Sequence, residues 1–268
     1  MFLIGRTRQA LLLLLLLIIN ISTKVVVSFN LLARPTFTYQ PLNTKNRRQD
    51  ELRLVTDLFV DSFWQGKVGG GAKELSDSQR KMLQAQQFAE FRKRYSRPSL
   101  TARMVVCKDT KSNDDIIGCA GVEVDTVPLF AEGEEPKGNV LGNLLGKSIP
   151  AKPTGRWDTK MQYAPLMSNL VVSRQYRRKG IAEKLVEQIE DTCREWDYDT
   201  CYLYVEKRNA AAVKLYQKLG YNTIWQDDKA KTLLPSNEGQ LENSPTVIIC
   251  MKKELGKGSK KSLSLWPF

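Results

Sequence analysis

The sequence predicts an α/β fold of mixed type, a central sheet flanked by helices, and three stretches carry that prediction. Residues 101–108 and 116–127 are β-rich and are separated by Lys111-Ser112-Asn113-Asp114, so they read as an antiparallel hairpin. Residues 163–172 form an apolar strand that passes through a basic turn into an amphipathic helix. Residues 201–205 lead in the same way to a helix at 209–219. Strands that alternate with helices in this order describe a sheet with helices packed on it.

Taken in order, residues 1–28 open with Arg6 and Arg8, continue as an unbroken apolar run over 10–19, and are then interrupted by Asn20, Ser22, Thr23 and Lys24. The run is short for a bilayer span and fits a signal peptide, with Val26 and Ser28 ahead of a cleavage point. The junction Val27-Ser28-Phe29 and the segment that follows, Asn30-Leu31-Leu32-Ala33-Arg34-Pro35-Thr36, resemble the bipartite presequences of algae with complex plastids. There a signal peptide is cut before a phenylalanine and a basic, acid-poor transit segment follows; here no acidic residue precedes Asp50. Residues 29–49 are assigned as transit segment and linker. The mature protein is expected in the plastid stroma without a membrane span, the alternatives being secretion or a membrane anchor.

From Asp50 the pattern becomes globular. Leu52, Val55, Leu58, Phe59 and Phe63 recur at helical spacing as far as Trp64, and the glycine-rich stretch 66–71 ends this helix. A second helix starts with Ser76 or Ser78 as N-cap, carries Met82, Phe88 and Phe91, and stops before Pro98. Residues 128–160 turn to Gly, Pro and Lys with little periodicity and read as an insertion, with a short helix around 140–145. It reads as a surface loop, or as a lid or partner-specific contact near the functional site. The helix from Ile181 carries Leu185, Val186, Ile189 and Cys193 on one face and Glu183, Lys184, Glu187, Gln188, Glu190 and Asp191 on the other. Gly220 closes the 209–219 helix, residues 221–226 and 246–251 are two further strands joined by a polar loop, and 254–268 is a basic tail.

Composition narrows the chemistry. The chain has 268 residues with 42% hydrophobic content, enough for one domain, placed at 50–253. A formal charge of +12 favours acidic partners: coenzyme phosphates, nucleic acid or an anionic membrane. Histidine is absent, which excludes Ser-His-Asp and Cys-His nucleophilic devices and leaves a carboxylate, a tyrosine, a lysine or water as general base. Five cysteines without C-x-x-C spacing read as buried free thiols, and no metal site is expected.

The turn Arg177-Arg178-Lys179-Gly180-Ile181-Ala182, between a strand and a helix, can aim successive backbone N–H groups at one point. Gly180 permits close approach and unusual dihedrals, Ala182 leaves room, and three cations offset an anion, so the turn reads as a cradle for a pyrophosphate. Arg177-x-x-Gly180-x-Ala182 resembles the (Gln/Arg)-x-x-Gly-x-(Gly/Ala) signature of the GNAT superfamily of acetyl-CoA-dependent N-acetyltransferases. Residues 203–221, LYVEKRNAAAVKLYQKLGY, resemble that family's second coenzyme-facing segment: a strand, an Asn opening a helix, a Tyr seven residues later and a Gly-aromatic ending.

The resemblance implies a GNAT fold, whose mixed, mostly antiparallel sheet has its first strand near Leu42 here. It implies acetyl-CoA as co-substrate, bound through the backbone of Leu170, Val171 and Val172 and through the cradle. Asn209 would contact the pantetheine arm and Tyr216 would protonate or hydrogen-bond the leaving sulfur. Read as bare residues, Asn209 is also an N-cap and Tyr216 also a core position. Glu206, at a strand end, and Glu123, on the third strand, are the candidate bases, with ordered water as the third. The implied activity is acetylation of protein amines, lysine side chains or N-termini, by a monomer or homodimer. Small-amine acetylation or a non-catalytic acyl-CoA-binding regulator are the alternatives. A nucleic-acid module is disfavoured, because only Tyr176 accompanies the basic cluster at 174–179 as a stacking aromatic.

Overall fold

The structure is a computed structural model and describes residues 36–44, 50–64, 74–96, 101–112, 115–130, 160–235 and 241–256. The presequence, the glycine-rich connector, the helix expected at 140–145 and all but the first residues of the tail lie outside the described residues. Within them a seven-stranded sheet has the order β1-β2-β3-β4-β5-β9-β6: β1 Phe37–Pro41, β2 Ala102–Asp109, β3 Asp115–Leu129, β4 Lys160–Val172, β5 Thr200–Glu206, β6 Asn222–Asp227 and β9 Ile248–Glu254. Every neighbouring pair is antiparallel except β4 and β5, which are parallel. β1 pairs with β2 from Phe37↔Asp109 to Pro41↔Val105, so part of the stretch read as linker belongs to the sheet.

On one face lie α1 (Glu51–Phe59), which runs on as a wider π-helical turn over Val60–Trp64, and α2 (Asp77–Tyr95). Ser76, the first of the two proposed caps, closes a full capping box with Gln79, whereas Ser78 lies inside the helix. The box sets the register of α2, which buries Leu83, Phe91 and Tyr95, while Met82 and Phe88 are only half-buried. α1 is held to β2 by the Lys108–Glu51 pair at 2.7 Å, and the second Glu51 oxygen accepts from the Asn43 N–H. Removing one member of so buried a pair costs about 3–5 kcal/mol, because the other charge is left without compensation.

The opposite face carries α3 (Ile181–Glu195) and α4 (Ala210–Lys218). Ile181, Leu185, Val186, Ile189 and Cys193 pack as the spacing predicts, against Val105, Val122, Met167 and Leu203 of the sheet. All five cysteines are buried free thiols.

Three expectations are corrected. The insertion is shorter than 128–160, because β3 and β4 pair out to Leu129↔Lys160. The polar loop between the last two sheet strands contains a hairpin of its own, β7 (Lys231–Pro235) on β8 (Leu241–Pro245). The final strand, expected at 246–251 with the tail from 254, is β9 at Ile248–Glu254, and it inserts between β5 and β6, a topology that local pattern does not encode.

Candidate active site

The site is built where two parallel strands part. β4 and β5 pair at Leu166↔Tyr202 and Met167↔Leu203, and there the ladder between them stops. β4 continues on β3 as far as Val172, while β5 continues on β9 as far as Glu206, which leaves an opening between them. A β-bulge lies beside it. Ser168 stands opposite Gly121 and Val171 opposite Cys119, so Asn169 and Leu170 share the single partner position of Ala120, and Asn169 has φ 57°.

The side chains of Leu170 and Val172 pack toward α3 and that of Val171 toward α1 and α2. What these three residues can offer a ligand is therefore backbone. The Ser173 N–H donates to Ile117 on the β3 side (2.8 Å), so the polar groups of Val172, one residue earlier, face the opening. The Val172 carbonyl already accepts from Arg177 Nε at 3.1 Å, which leaves its N–H as the group on offer.

Beyond β4 the chain makes a 3₁₀ turn over Arg174–Tyr176 and passes through two left-handed residues, Arg178 (φ 61°) and Gly180 (φ 76°). Gly180 is the N-cap of α3 and has no side chain to cap it, and the first bond closing the helix is Lys184 N–H to Gly180 O at 3.1 Å. The N–H groups of Ile181, Ala182 and Glu183 therefore point out of the helix end, beside the positive pole of its dipole, in the arrangement that binds a phosphate. Among the described residues, and its chain neighbours aside, nothing lies within 4 Å of a β-carbon placed on Gly180, so it is the backbone angle that calls for glycine there. Ile181 contributes only its N–H, since its side chain is core.

The three cations of the turn divide their work. Arg178 and Lys179 are exposed, with the Lys179 ammonium 4.9 Å from the Tyr176 ring centre. Arg177 is a strut as well as a cation, tying the end of β4 to the carbonyl of Ser62 (3.5 Å) in the turn after α1. A groove of about 400 Å³ between α3 and α4 meets the cradle at Gly180. It is lined by Glu183, Glu187 and Glu190 together with Lys184 and Lys253, and the three glutamates pair with Lys218, Lys184 and Lys253 in turn.

On α4, Asn209 is the N-cap, its Oδ1 accepting from the Ala212 N–H at 3.3 Å while the residue stays exposed. Capping engages the side-chain oxygen and leaves the amide NH₂ for a ligand. Tyr216 is 8% exposed, packs edge-on to Tyr221 at 5.8 Å, and has its phenol pKa raised above the ordinary 10 by burial, so it holds its proton at neutral pH.

The two candidate bases differ. Glu206 has both oxygens engaged, one by Arg208 Nε at 2.5 Å and one by Thr232 Oγ1 at 3.1 Å. Glu123 accepts from Arg94 Nη1 at 2.8 Å, and burial raises its pKa above the usual carboxylate value while Arg94 pulls it back. Around Glu123 the structure assembles side chains that no motif singles out. Asn169 Nδ2 lies 3.2 Å from the Tyr95 hydroxyl and 2.9 Å from Ser168 Oγ, and the Cys119 thiol lies 3.5 Å from the Asn169 carbonyl. Burial pushes that thiol up to about 12, which keeps it a donor. The one legible signal was Asn169 itself, because asparagine is depleted in strands and enriched in left-handed conformations. Among the described residues no group of three or more His, Cys, Asp or Glu side chains could hold a metal ion.

Residues 72–221, more than half of the chain, match the model of the acetyltransferase (GNAT) family. Among curated proteins, the chain is 29% identical over 133 residues to the N-terminal acetyltransferase complex ARD1 subunit homolog of Dictyostelium discoideum, covering 49% of this chain and 58% of that one. It is 34% identical over 93 residues to GCN5-related N-acetyltransferase 4, chloroplastic, of Arabidopsis thaliana, covering 33% and 31%. The chain thus spans less than two thirds of the length of either relative. Among solved structures, a chain of the NatC complex bound to Gag peptide and CoA is similar with a TM-score of 0.48 and 17% identity, over 82% of this chain and 99% of that one. With its turn, its strand opening and a family match over most of the core, this chain belongs to the GNAT acetyltransferase family.

Proposed function

We propose that this protein transfers an acetyl group from acetyl-CoA to amines of proteins, at N-termini or lysine side chains, by direct attack within a ternary complex. The observation that carries the reading is the opening between β4 and β5, with the turn at Arg177–Ala182 following directly from the β4 end of it. Acetyl-CoA would supply an activated thioester. The N–H groups of Ile181, Ala182 and Glu183 would hold its pyrophosphate, the Val172 N–H and the Asn209 amide its pantetheine arm, and Tyr216 the leaving sulfur. Glu123 is the better base of the two, because burial raises its pKa above the ordinary carboxylate value while both oxygens of Glu206 are already engaged. The acceptor class is supported by relatives named as N-terminal acetyltransferases. A plastid location is supported by relatives named as chloroplastic and by the pattern of the first 49 residues.

The test is acetyl-CoA consumption by the purified protein on a mixed library of lysine-bearing and free-N-terminus peptides, with small amines in parallel. Turnover on peptides is expected. Turnover on small amines alone would move the acceptor class, and binding of acetyl-CoA without any turnover would leave a regulator. A fluorescent fusion of the full chain that stays outside plastids in a host with complex plastids would overturn the location.

A further inference from the structure

The bulge at Asn169 stands where the β4–β5 ladder ends, at the edge of the opening proposed for the thioester. A left-handed asparagine is strained, and such conformations persist where the surroundings over-determine them. Here they do. Tyr95, the last residue of α2, is 5% exposed, stacks edge-on to Phe91 at 5.9 Å, and brings its hydroxyl to 3.2 Å from Asn169 Nδ2 and 3.5 Å from Ser168 Oγ. The same Nδ2 lies 2.9 Å from Ser168 Oγ, and Cys119 holds the Asn169 carbonyl. Gly121 makes the room, since a β-carbon there would stand 2.5 Å from the Tyr95 oxygen and 3.0 Å from Cζ. A phenylalanine would fill the core equally well, and the buried hydroxyl is used on the bulge.

We propose that Tyr95 is a positioning residue for acyl transfer, its phenol seated over Gly121 and latching Asn169 so that the β4 bulge keeps the backbone geometry that receives the thioester. The inference rests on the acetyltransferase reading and adds to it a residue on a remote helix that never touches substrate. The latch joins three elements, α2, β3 and β4, and removing either partner should release it.

The experiment uses the full chain with Tyr95→Phe, Asn169→Gly and the double variant. Asn169→Gly keeps the left-handed backbone accessible while deleting the side-chain bonds, so it separates the latch from simple strain. In each single variant kcat should fall about tenfold with the KM for acetyl-CoA within about twofold, and the double variant should fall no further than the singles, as expected of residues acting as one unit. Independently of activity, amide hydrogen exchange at residues 168–171 should quicken about tenfold in both variants while the α3 amides keep their protection. Wild-type exchange at 168–171 in Tyr95→Phe, or losses that add in the double variant, would overturn the proposal. A wild-type protein that binds acetyl-CoA but acetylates nothing would instead count against the proposed function, with the exchange result still deciding whether the latch exists.

Discussion

The two sides of β4 are built on opposite principles. On the side proposed for the coenzyme, Arg177 to Ala182 are contiguous, and what they present is mainly backbone: N–H groups at a helix end and two left-handed residues. On the other side, the polar cluster takes Arg94 and Tyr95 from α2, Gly121 and Glu123 from β3, and Ser168 and Asn169 from β4, and it works through side chains. A backbone site tolerates changes of side chain but demands a short, conformationally specific run of sequence. A side-chain site needs particular residues but leaves their positions in the sequence to the fold.

That contrast can be tested by substitution. The largest effect is expected from Glu123→Gln, about 10²-fold in kcat/KM for the amine, the lower range for a general base. The pH profile says whether the base is correctly chosen. A base must be ionised, so activity falls as pH drops through the pKa of Glu123, which burial holds above the ordinary carboxylate range. Arg94 counteracts that rise, so Arg94→Met should move the acid limb of the profile to higher pH. A limb that ignores Arg94 and shifts in Arg208→Met would transfer the role to Glu206.

Tyr216→Phe tests the side chain proposed to act on the leaving sulfur. Loss of a hydrogen bond to a developing thiolate, about 2 kcal/mol, predicts a fall in kcat of roughly 30-fold with the KM for acetyl-CoA little changed. An unaffected kcat would mean that the leaving sulfur is stabilised without Tyr216.

Gly180→Ala is smaller. At φ 76° an alanine carries strain of about 1–2 kcal/mol, so the KM for acetyl-CoA should rise about tenfold while kcat holds. Arg178→Gly should do least. It removes one exposed cation and relieves a left-handed non-glycine residue, so thermal melting should show no loss of stability, and the KM should change by no more than about threefold. A large KM effect from Arg178 would break the comparison, because it would make charge, and not backbone, the agent of the cradle.

How much was legible follows the same division. The cap at Ser76, one of the two serines the pattern offers, the apolar face of α3 and the N-cap at Asn209 are local, each decided by residues within a turn or two of one another. The first strand beside Leu42 was legible only roughly, because five residues carry little periodicity and their identity as a strand comes from pairing with β2.

The sequence by itself therefore determined the described helices, the main strands, the left-handed turn at Gly180 and the family, because period, caps and the glycine at Gly180 depend on neighbours along the chain. Only the tertiary structure decided that β9 enters between β5 and β6, that β3 and β4 extend into the insertion, and that Arg177 caps the Val172 carbonyl. It alone brought Tyr95 over Gly121 to hold Asn169, partners 26, 48 and 74 residues apart along the chain. The physical reason is that such contacts are selected by the packing of whole elements, and no local propensity or period records which side chain a distant strand will meet.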